Sequence, residues 1–181
     1  MKDFAHYIIK RPNSIKDSTF TQIGEDISLL IANSPVPIAG FQGEDDFMIN
    51  DDQILFNGKQ DDACEEFHFL KNIDSSAMNS IKTMALPYDL LVQASLLVLK
   101  FYLGDSIEIT TDGEFEDWRK AIGYTRLILD IDIPKLFPEQ LSLLEVTGDL
   151  VDMSQYKRDQ LKKELAEVLG KYTENYDICI K

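Results

Sequence analysis

Apolar residues recur along this chain at two spacings, and the spacing changes where the element type should change. From 19 to 32, Phe20, Ile23, Ile27, Leu30 and Ile31 share one helical face, which predicts an amphipathic helix. Gly24 weakens that helix, and Asn33-Ser34-Pro35-Val36-Pro37 ends it, because a residue before proline avoids the α region. A period of two takes over in 53–57, where Ile54 and Phe56 share a face. It continues in 66–70, where Phe67 and Phe69 share one and Glu66 and His68 point away. The connection 58–65 suits a long hairpin loop. Upstream, 4–9 reads as a short apolar strand followed by a turn at Arg11-Pro12-Asn13-Ser14. The segment 40–52, polar and glycine-containing, reads as a surface loop.

One segment breaks the amphipathic rule. In 87–103, Leu90, Leu91, Val92, Leu96, Leu97, Val98, Leu99, Phe101 and Leu103 cover nearly every side of the helix that the pattern predicts. A helix apolar all round belongs in the centre of a core. Pro87 suits a first helical turn, Asp89 suits the positive end of the helix dipole, and Gly104 suits the position after the last turn. Alternation resumes in 105–110, with Ile107 and Ile109 inward. Thr111 and Glu114 then have capping-box spacing for a helix to Leu129, its buried line being Phe115, Trp118, Ile122 and Leu129. Residues 130–138 break the pattern, and 138–146 reads as either a short helix or a strand. An amphipathic helix is expected over 152–170, with Leu161, Leu165, Val168, Leu169 and Tyr172 in its stripe, then a closing strand with Tyr176, Ile178 and Ile180. Residues 71–85 carry no legible period. Hairpins interleaved with helices favour an α+β fold. The expectation is one domain over 1–181, a mixed or antiparallel sheet packed around the central helix 87–103.

Composition supports a folded chain, with 44% hydrophobic and 10% aromatic residues, and charge then narrows the partners. The formal net charge is -14. Between Glu44 and Glu66 stand nine acids, Glu44, Asp45, Asp46, Asp51, Asp52, Asp61, Asp62, Glu65 and Glu66, against one base, Lys59. Such a surface repels nucleic-acid phosphates and anionic lipid and attracts a basic protein surface. Glu44, Asp45, Asp46, Asp61 and Asp62 are the candidate contacts to that partner, although acidic balance more often serves solubility alone. The apolar stretch 90–103 is interrupted by Gln93, Ser95 and Lys100 and is too short to span a bilayer. Residues 1–10 lack the apolar region of a signal peptide, so a cytoplasmic location with reduced thiols is expected. Whether Cys64 and Cys179 pair stays open.

For small-molecule chemistry the candidates are Glu66, Lys82, Tyr88, Asp89 and Asp112, near predicted element ends where side chains can converge. Carboxylates there can hold a divalent cation or act as an acid and base pair. Helix starts also select these residues for capping alone. No P-loop, nucleophile elbow, EF-hand loop or zinc spacing occurs, and neither His6 nor His68 has a second ligand near it in sequence. No catalytic residue, cofactor or metal ligand is therefore assigned. The residues Phe56-Asn57-Gly58, Asp62, Glu66-Phe67, Lys82-Thr83, Pro87-Tyr88-Asp89, Gly104-Asp105, Asp112-Gly113 and Asp117-Trp118 stand in an order and spacing that resembles a family of uncharacterised bacterial proteins. The resemblance implies a shared fold and pocket over roughly 55–118 and supplies no reaction. Ile81 stands where that pattern would place a cysteine before Lys82, which argues against a thiol-based role. The leading expectation is a non-catalytic acidic interaction module, of inhibitor, immunity-type or adaptor role. The alternative is an enzyme or ligand-binding protein using the five-residue pocket.

Overall fold

The computed structural model describes residues 4–74 and 79–131; the sequence expectations for 132–181 lie outside the described residues. The elements are β1 (Ala5–Lys10), α1 (Asp17–Ala32), β2 (Ile38–Ala39), β3 (Met48–Ile49), β4 (Gln53–Gly58), β5 (Phe67–Leu70), β6 (Asn79–Lys82), α2 (Asp89–Leu103), β7 (Glu108–Thr111) and α3 (Phe115–Leu129). The fold is α+β, with two antiparallel sheets rather than one. The first has the order β6-β1-β7. In the second, β4 pairs β5 along one edge and the two short strands β2 and β3 along the other.

The hairpin expected from alternation forms in the register that its apolar faces require. Ile54 stands opposite Phe69 and Phe56 opposite Phe67, and the last two rings stack 4.8 Å apart between centroids. All four are fully buried, so a slip of one residue would turn them to solvent. Phe20 of α1 stacks on Phe69, and Gly24 lets α1 approach β3, since a Cβ there would press Ile49 Cγ2 at 3.1 Å.

α2 occupies the centre. Leu91, Val92, Ala94, Leu96, Leu97, Val98 and Leu99 are all fully buried, and α1 and α3 pack against it. Its last turn emerges, leaving Phe101 exposed. α2 starts at Asp89, two residues later than the sequence predicts, because Pro87 and Tyr88 belong to the preceding turns. Two tyrosines tie the helices together. Tyr124 Oη donates to the Leu30 carbonyl at 2.6 Å, and Tyr102 Oη to Asp26 Oδ2 at 2.9 Å.

The capping box of α3 also moves. Thr111 ends β7, where its hydroxyl donates to the Ala5 carbonyl and accepts the Gly113 amide. With that hydroxyl committed, Glu114 becomes the N-cap and Asp117 accepts the Glu114 amide at 2.9 Å.

Candidate functional site

Most of the acidic stretch lies in or beside two turns that touch, while Asp51 and Asp52 stand apart in the β3–β4 connection. In the first, a short 3-10 helix spans Phe41–Gly43, and the Gly40 amide donates to the Glu44 and Asp45 carbonyls. In the second, a 3-10 helix spans Gln60–Asp62, closed by the Asp62 and Ala63 amides on the Lys59 and Gln60 carbonyls. The two turns meet at Gly43. Its φ of +78° suits glycine, and a Cβ there would lie 2.5 Å from that of Ala63. Glu66 Oε1 accepts the Gln42 amide at 3.1 Å and ties the turns together from the side.

Buried polar groups hold this surface from behind. Asn57, fully buried, donates through Nδ2 to the Cys64 carbonyl and accepts the Cys64 amide on Oδ1. Tyr88 Oη donates to the Glu65 carbonyl at 2.8 Å, fixing the second turn to the start of α2. Burial, with lesser contributions from Cys64, Asp89, Glu65 and Glu66, drives the Tyr88 hydroxyl well above the usual tyrosine range. Glu65 and Lys82 exchange bonds, the Glu65 amide reaching the Lys82 carbonyl at 3.1 Å and the Lys82 amide reaching Glu65 Oε2 at 2.7 Å.

Of the five partner candidates, Glu44, Asp45, Asp46 and Asp61 are exposed and Asp62 is half-buried. Among the described residues the carboxylates of Glu44, Asp45, Asp46 and Asp61 form no ion pair, and Lys59 forms none either. Asp52 is engaged, sharing Lys71 with Asp17 at 3.5 and 3.3 Å. Phe41, Phe47 and Met48 stand exposed beside these acids, at 56%, 40% and 44% of their full surface. Phe47 also lines a cleft of about 230 Å³, whose apolar wall includes Ile31, Pro35, Val36 and Ile38 and whose one charge among the described residues is Lys59.

Four of the five residues of the predicted pocket, Glu66, Tyr88, Asp89 and Asp112, place their side chains on different partners. Glu66 braces the first acidic turn, and Tyr88 meets the Glu65 and Lys82 carbonyls. Asp112, exposed, accepts the Tyr7 hydroxyl at 3.0 Å. Asp89 turns into the core. Its Oδ1 lies 2.7 Å from His6 Nε2 and accepts the Thr83 hydroxyl at 2.6 Å, while Oδ2 accepts Gln93 Nε2 at 2.8 Å. His6, Thr83, Asp89 and Gln93 are all buried. The His6 ring is met edge-on by Phe4 and Trp118, and its Nδ1 has no hydrogen-bond partner among the described residues. A carboxylate oxygen accepts, so Nε2 is the donor in this pair.

Sequence reasoning missed this network. The available signal was alternation in β1, which puts His6 on the inward face between Phe4 and Ile8. It also missed Arg11, which is buried with its guanidinium 3.9 Å above the Phe69 ring and Nη2 donating to the Leu70 carbonyl. Burial lowers the Arg11 pKa to about 10. His68 is exposed and bonded to the Gln53 side chain. Among the described residues no group of three or more His, Cys, Asp or Glu is placed to hold a metal ion, and no helix is long and apolar enough to cross a membrane. Comparisons with protein-family models, curated proteins and solved structures find no match to this chain.

Proposed function

We propose that this protein is a non-catalytic interaction module that engages a basic surface of another protein through residues 44–66. The observation that carries this reading is the paired-turn construction. Buried Asn57 and Tyr88 fix the end of the second turn, and Glu66 ties the first turn to it, while the carboxylates Glu44, Asp45, Asp46 and Asp61 face solvent without ion-pair partners among the described residues. Exposed acids used only for solubility need no such support. Acids that must meet a fixed set of cations gain from being held in place, because less freedom is lost on binding. An inhibitor, immunity-type or adaptor role would each use such a surface. The same charge disfavours nucleic acid and anionic membranes as partners.

The test is affinity capture from a native lysate at low salt, with the wild type beside a variant reversed at Asp45, Asp46, Asp61 and Asp62 to lysine. The expected result is a basic protein retained by the wild type, released by salt and not retained by the variant. Stopped-flow fluorescence on the purified pair should then show a slower on-rate for the variant's residual binding, with its melting temperature preserved. Equal retention by both proteins would overturn the reading.

A further inference from the structure

We infer that the cleft beside Phe47 receives the apolar anchor of a basic peptide segment whose lysine or arginine side chains lie across Glu44, Asp45 and Asp46. This rests on the acidic surface being a binding surface and adds what the acids alone cannot provide, a reason to choose among basic partners. The cleft's volume of about 230 Å³ has room for one aliphatic or aromatic side chain and falls short of a drug-sized ligand, which needs roughly 300 Å³ or more. Its wall is apolar and already formed by the end of α1 and the proline-flanked Val36, so an incoming side chain meets Ile31, Val36, Ile38 and Phe47 without repacking the core.

Charge complementarity selects the occupant. Glu44, Asp45 and Asp46 are exposed and immediately precede Phe47 in the chain, so a ligand that seats an anchor beside Phe47 meets these carboxylates next to it and is favoured when it carries cations. A second copy of this chain would bring its own acidic loops against these, and an anionic ligand would meet the same repulsion. Lys59 on the cleft rim gives the segment a polarity, because a basic residue cannot sit on the anchor's side facing that ammonium.

The probes are two peptides of lysine and serine, identical except that one carries a single central leucine where the other has serine. Their binding to the full chain is measured by fluorescence anisotropy at low and moderate salt. The leucine peptide should bind the wild type about tenfold more tightly, the equivalent of burying one aliphatic side chain. Phe47→Ser should abolish that ratio while the serine peptide binds as before; Phe47 is part-exposed, and an unchanged melting curve confirms that the variant folds. Lys59→Glu should tighten both peptides. Equal affinity of the two peptides for the wild type, or a ratio that survives Phe47→Ser, overturns the anchor and leaves the acidic surface standing. Failure of both peptides to bind at low salt overturns the acidic surface itself and the anchor with it. A wild type that sediments as a dimer and a Phe47→Ser variant that sediments as a monomer would assign the cleft to a second copy and overturn the peptide.

Discussion

Asp89 shows how one side chain can join a distant strand to its own helix and the turn before it. It draws His6 from β1, Thr83 from the end of β6 and Gln93 from the next turn of α2 onto two largely buried oxygens. Removing the acceptor strands three donors together, so Asp89→Ala should destabilise by about 3 kcal/mol in chemical denaturation. In a cycle with His6→Ala, the double variant should lose less than the sum of the single losses, by about 1 kcal/mol or more. Strict additivity would mean that the two side chains act separately. Tyr88 and Tyr124 make a prediction about alkali. Burial raises both hydroxyls above the ordinary range, so the folded chain keeps protons that the unfolded chain releases near pH 10. The stability this contributes is complete below that pH and is lost as pH rises above it. Melting temperature should therefore fall steadily above about pH 10, and Tyr88→Phe should show a shallower fall.

At the scale of elements, α2 is the most direct reading from sequence to structure. Leu97 is fully buried in a helix covered on all sides, so Leu97→Ala should cost about 2–5 kcal/mol. A loss below half of the lower figure in urea denaturation would place that side chain nearer the surface. Two glycines offer a paired comparison. Gly43 and Gly104 both have positive φ, but a Cβ at Gly104 meets nothing within 4 Å, whereas one at Gly43 meets Ala63 and the backbone of the neighbouring turn. Gly104, at φ +52° and ψ -128°, has a backbone that side-chain-bearing residues rarely adopt, so Gly104→Ala should cost about 1–3 kcal/mol from the backbone alone, whereas Gly43→Ala adds the clash with Ala63, with that added loss confined to the acidic turns in amide exchange. α1, the β4–β5 hairpin and α2 were legible because each repeats its period several times. β2 and β3 were not, because two residues hold no period, and β6 was not, because Ile81 is its one apolar residue; their strand geometry is imposed by β4 and β1. The five pocket candidates share only their nearness to element ends in the sequence. Their actual partners, such as Asp89 with His6 or Glu66 with Gln42, depend on contacts across the fold that spacing does not encode.

For the whole molecule, a formal charge of -14 means that folding gathers like charges against their own repulsion. Chloride salt should screen this, and raising it from low to about 0.5 M should lift the melting temperature by about 3 °C. A fall would show that ion pairs such as Lys71 with Asp17 and Asp52 outweigh the repulsion. Lys71 sits where the segment after β5 returns to the segment after β1, which are also joined by the Ile15 amide on the Lys71 carbonyl and the Ser14 hydroxyl on Asn72. The first sheet carries a further consequence, in time rather than in energy. β1 is its middle strand, and the partners of Ala5 and His6 are Lys82 and Thr111. During synthesis the strand made earliest therefore waits longest, and neither of its edges is satisfied until most of the described fold has been made. Such distant pairing makes for slow folding. While it waits, the nascent chain carries an unpaired apolar strand, the kind of segment that chaperones bind and that aggregates when they do not.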